Sequence, residues 1–118
     1  STMGKEIFVG DEKYLDMATA ISGSGPAYFF LFVESLLEAA VHIGLPHDIA
    51  EELVRQTMLG SGHLIQKSGK PPTELRRMVT SPGGTTAEAL IQFEKGGFNK
   101  LVLQAVTAAY DKAKGLGD

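Results

Sequence analysis

The sequence predicts an all-α fold, a bundle of five to six helices, and three observations carry the prediction. Apolar residues recur at helical spacing through segments too long for strands, such as 25–43 and 98–114. Clusters of glycine and proline separate those segments, at Gly69-Lys70-Pro71-Pro72, Ser81-Pro82-Gly83-Gly84 and Gly96-Gly97. No two alternating segments are joined by a hairpin turn.

Residues 1–10 read as an N-terminal arm or expression remnant, with Ile7-Phe8-Val9 short and β-rich, and residues 11–118 as the helical domain. Asp11 to Ile21 reads as the first helix. The second, Gly25 to Ile43, carries Glu34, Glu38 and His42 at i, i+4 and i+8, with apolar or small residues almost everywhere else. A helix apolar around most of its girth needs cover on several sides, which a small monomer rarely supplies, so burial by a second subunit is expected. Gly44 offers a left-handed stop, Pro46 a first-turn start, and Asp48, Glu51 and Glu52 place negative charge at the positive end of a third helix, Pro46 to Ser68. Its apolar face reads as Ile49, Leu53, Met58, Leu64 and Ile65. Gly60-Ser61-Gly62 lies in its middle, where each glycine costs about 1 kcal/mol against alanine, so close packing of another backbone is expected there.

Pro72-Thr73-Glu74 opens a short helix that reaches Met78. Thr85-Thr86-Ala87-Glu88 has the form of a capping box, predicting a helix over 86–95 with Ala89, Leu90 and Phe93 facing inward. The last helix runs from Phe98 to Lys114 on Leu101, Val102, Ala105, Val106, Ala109 and Ala113, and Gly115-Leu116-Gly117 predicts a frayed end. Met17, Met58 and Met78 read as core filler.

Composition narrows the function. A chain of 118 residues and 12.6 kDa is one domain by size, and 43% apolar with 21% charged residues is globular rather than disordered. The longest apolar run, Ala27 to Val33, falls well short of the ~20 residues that cross a bilayer, so a cytoplasmic protein without membrane or secretory segments is expected. A net charge of −3 with scattered Lys and Arg argues against nucleic acid as a partner. The absence of cysteine excludes disulfides, thiolate zinc sites and thiol nucleophiles. The 14 glycines cluster at a few places, which marks them as punctuation rather than linker.

Two of those clusters each precede a helix: Ser22-Gly23-Ser24-Gly25-Pro26 and Ser81-Pro82-Gly83-Gly84-Thr85-Thr86. Helix-initial amides lack intrahelical partners and point outward at the positive end of the dipole, so a carboxylate or phosphate fits there. The hydroxyls of Thr85 and Thr86 both donate and accept, which suits an anion carrying a neighbouring nitrogen. The same residues are the ordinary vocabulary of helix ends, and a Thr85–Glu88 box would close the second start on its own. Neither cluster is a nucleotide fingerprint: Tyr28 stands where G-x-G-x-x-G requires glycine, and no G-x-x-x-x-G-K-[ST] occurs. His42 belongs to the polar stripe with Glu38, and His47 and His63 lack a second histidine at metal-ligand spacing, so no metal site is expected. Glu34 and Glu38 read as a solvated or interface face rather than an acid–base pair.

The stretch Glu12-x-x-x-Asp16-x-x-Thr19-Ala20-Ile21-Ser22-Gly23-Ser24-Gly25-Pro26-Ala27-Tyr28, with Leu75-Arg76-Arg77-Met78-Val79-Thr80-Ser81-Pro82-Gly83-Gly84-Thr85-Thr86-Ala87-Glu88-Ala89-Leu90, resembles the C-terminal dimerisation domain of the pyrroline-5-carboxylate reductases. The resemblance extends from about Gly4 to Gly115. It implies a helical domain that interlocks with a second copy into a homodimer, with higher oligomers open, and whose N-terminal dinucleotide-binding domain is absent from this chain. It implies NADPH- or NADH-dependent reduction of 1-pyrroline-5-carboxylate to L-proline, the last step of proline biosynthesis. Carried over by resemblance, the substrate carboxylate meets Ser81 and the amides of Gly84 and Thr85, the Thr86 hydroxyl meets the ring nitrogen as the catalytic group, and Val79 forms an apolar wall. Ser24, Gly25 and Pro26 would face the nicotinamide, while the absent domain would hold most of the cofactor. The isolated chain is then expected to be inactive. Two rivals stay open: a non-catalytic helical dimerisation module, and the helical domain of a related imine or keto-acid reductase.

Overall fold

The computed structural model describes residues 12–117, with side-chain surroundings described for 14–115. The expected arm at 1–10 lies outside the described residues. Among them the order is α1 (Glu12–Ala18), a π-helical turn (Thr19–Gly23), α2 (Gly25–His42), α3 (His47–Ser68), α4 (Pro72–Met78), α5 (Thr85–Lys95) and α6 (Phe98–Gly117), with no strand. The all-α prediction holds, and most boundaries fall within a residue of the glycines and prolines that predicted them. The chain divides into two compact units, one within Ser1–Tyr28 and Asn99–Asp118, the other Phe29–Phe98.

In the second unit, α2 ends in a Schellman motif. The Leu45 amide donates to the Ala40 carbonyl and the Gly44 amide to that of Val41, both at 3.0 Å, with Gly44 at φ +116°. Pro46 is the N-cap of α3 rather than its first residue, and its carbonyl accepts from the Ala50 amide at 2.9 Å. Gly69, at φ +70°, ends α3 as predicted. Leu75 is the buried anchor of α4, and Phe93 ties α5 to its neighbours in sequence and space. The Phe93 ring centroid lies 6.1 Å from that of Phe32 on α2 and 5.5 Å from that of Phe98, the latter edge-on.

Burial departs from expectation. The apolar side chains buried among the described residues are Ala20, Ala50, Val54 and Leu75. On α3 the buried positions are Ala50 and Val54. Ile49, Leu53, Leu64 and Ile65, expected to face a core, are exposed, and Met58 is half-buried. Met17 and Met78 are also exposed rather than core filler, as are Leu101 and Val102 on α6 and Ala89 on α5, while Leu90 is half-buried. The physical reason is that the chain by itself has too few layers to cover these faces. The same holds for α2, where Phe29, Phe30 and Leu31 are 57%, 71% and 64% exposed on successive sides of the helix. The expected close packing at Gly60 and Gly62 is not made within the chain either, because an added β-carbon at either would meet nothing within 4 Å.

Length and composition of helices, rather than unbroken apolar runs, give a different measure of the longest apolar segment. The helical run Tyr14–His42 is long and apolar enough to cross a membrane by length and composition. Counting unbroken apolar residues misses it, since the π turn carries the helix through Ser22 and Gly23 without ending it.

Candidate functional site

The α4–α5 connection is built by short-range chemistry. Thr80 closes the end of α4, its amide donating to the Arg77 carbonyl at 3.2 Å and its hydroxyl to that of Arg76 at 2.6 Å. Ser81-Pro82-Gly83-Gly84 then forms a tight turn, the Gly84 amide donating to the Ser81 carbonyl at 3.0 Å. Proline at the second position and a glycine at φ +72° at the third are the requirements of a type II turn, and Gly83 supplies the latter. Gly84 follows in extended conformation as the N-cap of α5.

That register corrects the capping box. With Gly84 at the cap, Thr85 is the first helical residue, so its hydroxyl is not in the capping position and no side chain caps α5. Glu88 instead enters the ladder, its amide donating to the Gly84 carbonyl at 3.1 Å. The amides of Thr85, Thr86 and Ala87 therefore have no intrachain acceptor among the described residues. Neither do the hydroxyls of Ser81, Thr85 and Thr86 have partners there. Ser81 and Thr85 are exposed, Gly84 and Thr86 half-buried, and Val79, two residues ahead of the turn, is 62% exposed. The turn thus gathers Ser81, Gly84, Thr85 and Thr86 at one helix start where three amides and three hydroxyls are open to a ligand.

The first glycine–serine cluster is built differently. Most of it is not a loop: Thr19–Gly23 is a π-helical turn, and the Ser24 amide donates five residues back to the Thr19 carbonyl at 2.8 Å. Ser22 spends its hydroxyl on the Ala18 carbonyl at 3.0 Å and Thr19 on that of Leu15 at 2.9 Å. At the start of α2, Pro26 has no amide to offer and the Ala27 amide donates to the Ser24 carbonyl at 3.0 Å. Gly25 is buried, Ser24 half-buried and Pro26 exposed. This start has fewer open donors than that of α5. The structure also contributes a residue that sequence reasoning missed: the Tyr28 hydroxyl donates to the Ala20 carbonyl at 2.6 Å. Only its place one helical turn beyond the cluster hinted at it.

Glu34, Glu38 and His42 are exposed along α2, and His47 and His63 are exposed on α3. Among the described residues no three His, Asp or Glu side chains gather as a metal site would require.

These features define an all-α domain with an open, hydroxyl-lined helix start and broad uncovered apolar faces. The chain belongs to the pyrroline-5-carboxylate reductase dimerisation family, whose model matches residues 12–116. Pyrroline-5-carboxylate reductase of Pisum sativum is 44% identical over 115 residues, covering 98% of this chain and 42% of the relative. That of Pseudomonas aeruginosa is 42% identical over 118 residues, covering 100% of the chain and 43% of the relative. Among solved structures, a pyrroline-5-carboxylate reductase from Coxiella burnetii superposes with a TM-score of 0.90 at 44% identity, covering 93% of this chain and 41% of its own. The Plasmodium falciparum pyrroline carboxylate reductase with NADP bound gives 0.87 at 46% identity, covering 92% and 41%. The chain spans about two-fifths of the length of the relatives it matches.

Proposed function

We propose that this chain is the dimerising, substrate-positioning part of an NAD(P)H-dependent pyrroline-5-carboxylate reductase, which converts 1-pyrroline-5-carboxylate to L-proline. The observation that carries the reading is the α5 start, where the Thr85, Thr86 and Ala87 amides lack intrachain acceptors. Unpaired amides at the positive end of a helix stabilise a carboxylate, and the substrate is a small cyclic carboxylate.

The division of labour follows from the turn. The Ser81 hydroxyl and the amides of Gly84 and Thr85 hold the carboxylate; the Gly84 amide can share its hydrogen between the Ser81 carbonyl and the ligand. Val79 offers an apolar wall to the ring. Thr86 Oγ1 accepts the N–H of the protonated imine, keeping positive charge on the C=N unit and its carbon electrophilic. A reduced nicotinamide, when bound, supplies the hydride. The C=N electron pair withdraws onto nitrogen, which already carries its proton, so no separate acid is needed. Orientation and preorganised charge do the catalytic work, which explains why the chain lacks a nucleophile or acid–base pair at this turn.

Ser24, Gly25 and Pro26 are the residues of this chain that would face the nicotinamide, and an added β-carbon at Gly25 would meet nothing within 4 Å, which leaves room beside it for a flat ring. No strand followed by a glycine turn occurs among the described residues, so the pyrophosphate would be held by sequence outside them. A second copy of the chain would cover the exposed Phe29, Phe30 and Leu31 of α2, making the assembly a soluble, cytoplasmic homodimer and leaving the Tyr14–His42 run to protein rather than lipid.

Calorimetric titration with L-proline tests the site. Binding by the native chain that is lost in Thr86→Ala and weakened in Ser81→Ala is the expected result. No binding by the native chain, or binding indifferent to both variants, would favour a dimerisation module whose α5 start holds no substrate. The chain mixed with substrate and NADPH is expected to show no turnover without a dinucleotide-binding domain, and turnover would overturn that division.

A further inference from the structure

The π turn before α2 has a feature that the substrate-binding reading does not use. In an α-helix the Ser24 amide would donate to the Ala20 carbonyl, four residues back. Here it donates instead to Thr19, five back, at 2.8 Å, and the Ala20 carbonyl accepts the Tyr28 hydroxyl at 2.6 Å. Tyr28 therefore occupies the acceptor that the α register would assign to Ser24. Ala20 is 1% exposed and Gly25 is buried, so this carbonyl lies where water cannot readily replace the phenol. A π turn is an α-helix with one residue too many, and it persists only where surrounding contacts outweigh the return to α geometry. Removing the phenolic hydroxyl frees the Ala20 carbonyl to compete with that of Thr19 for the Ser24 amide, which then alternates between two acceptors and is unbonded in passing, so Ser24 and the two residues that follow it lose their fixed aim.

We propose that Tyr28 is a positioning residue: by holding the Ala20 carbonyl it locks the π register that aims the Ser24-Gly25-Pro26 segment. The inference rests on the reading that this segment faces the nicotinamide. Tyr28 touches no reacting atom; it acts through the backbone between Ala20 and Ser24.

The test is Tyr28→Phe in the full-length reductase, which keeps the ring and deletes only the hydroxyl, with Ser24→Ala as a reference. Hydrogen exchange and steady-state kinetics are measured together. Loss of one hydrogen bond should raise KM for the dinucleotide roughly two- to ten-fold and speed exchange of the Ser24 amide by a similar factor. KM for the imine and exchange within α3 should stay unchanged, which a general loosening of the fold would not allow. Unchanged Ser24 exchange would overturn the lock itself. Faster Ser24 exchange with unchanged dinucleotide KM would overturn the positioning role. The Ser24→Ala variant separates the two readings: if it shifts dinucleotide KM and Tyr28→Phe does not, only the Tyr28 inference fails. If neither variant shifts it, the assignment of the segment to the cofactor fails as well.

Discussion

Gly84 passes so close to Ser81 that a β-carbon on it would stand 3.3 Å from the Ser81 carbonyl oxygen and 3.4 Å from the Ser81 β-carbon. The atom it would crowd is backbone, and that carbonyl accepts the hydrogen bond closing the turn. Gly84→Ala should therefore open the turn and misplace the helix-initial amides. Expected is a proline affinity reduced about ten-fold, a loss near 1.4 kcal/mol, with little change in the far-ultraviolet circular dichroism. Calorimetry against the parent chain checks it.

Gly83 tests the same turn by a different route. Its φ of +72° is a conformation that residues with a β-carbon adopt at a cost of about 1–2 kcal/mol, although nothing crowds the position. Gly83→Ala should lower stability by that amount in urea unfolding, and Gly83→Asn, which tolerates the left-handed region better, should recover part of it.

Thr86 should separate binding from chemistry. In the full-length reductase, Thr86→Ala should lower kcat on the order of a hundred-fold, the usual scale for losing one preorganised group at a developing or localised charge. Thr86→Ser should retain most of the activity, because the hydroxyl survives. Steady-state kinetics on the two variants decides it, and equal losses would remove the hydroxyl from the mechanism.

Phe30 distinguishes a dimer from a monomer. A side chain 71% exposed in a monomer could be replaced by glutamate within about 0.5 kcal/mol. Covered by a second copy, the same carboxylate would be buried without a partner. Light scattering after gel filtration should give twice the 12.6 kDa chain mass for the parent and the single-chain mass for Phe30→Glu.

Helix boundaries were legible because glycine and proline act locally, and Gly44, Gly69 and Gly97 hold the left-handed angles that end or separate helices. The cap of α5 lies one residue ahead of the position that the capping-box pattern implies. The pattern Thr85-x-x-Glu88 does not reveal that the preceding type II turn leaves Gly84 extended and makes it the cap. The π turn was invisible for a related reason, since one extra residue inside a helix leaves no mark on composition or period. The face of α3 failed because apolar identity predicts burial only when something lies opposite, and Ile49 and Leu53 have too little of this chain above them. Open amides at this helix start follow from the glycine–hydroxyl pattern, but of the two named by resemblance, Gly84 and Thr85, the Gly84 amide already donates to the Ser81 carbonyl, and only the register explains why no side chain caps the rest.

The scarcity of buried apolar side chains bears on how the domain exists at all. Among the described residues the buried apolar side chains are Ala20, Ala50, Val54 and Leu75, a small provision, and in the proposed homodimer most of the water-excluding contacts would come from a mate. Folding and pairing then become one equilibrium, and the midpoint temperature climbs with protein concentration. Dilution alone would act as a denaturant of such a pair.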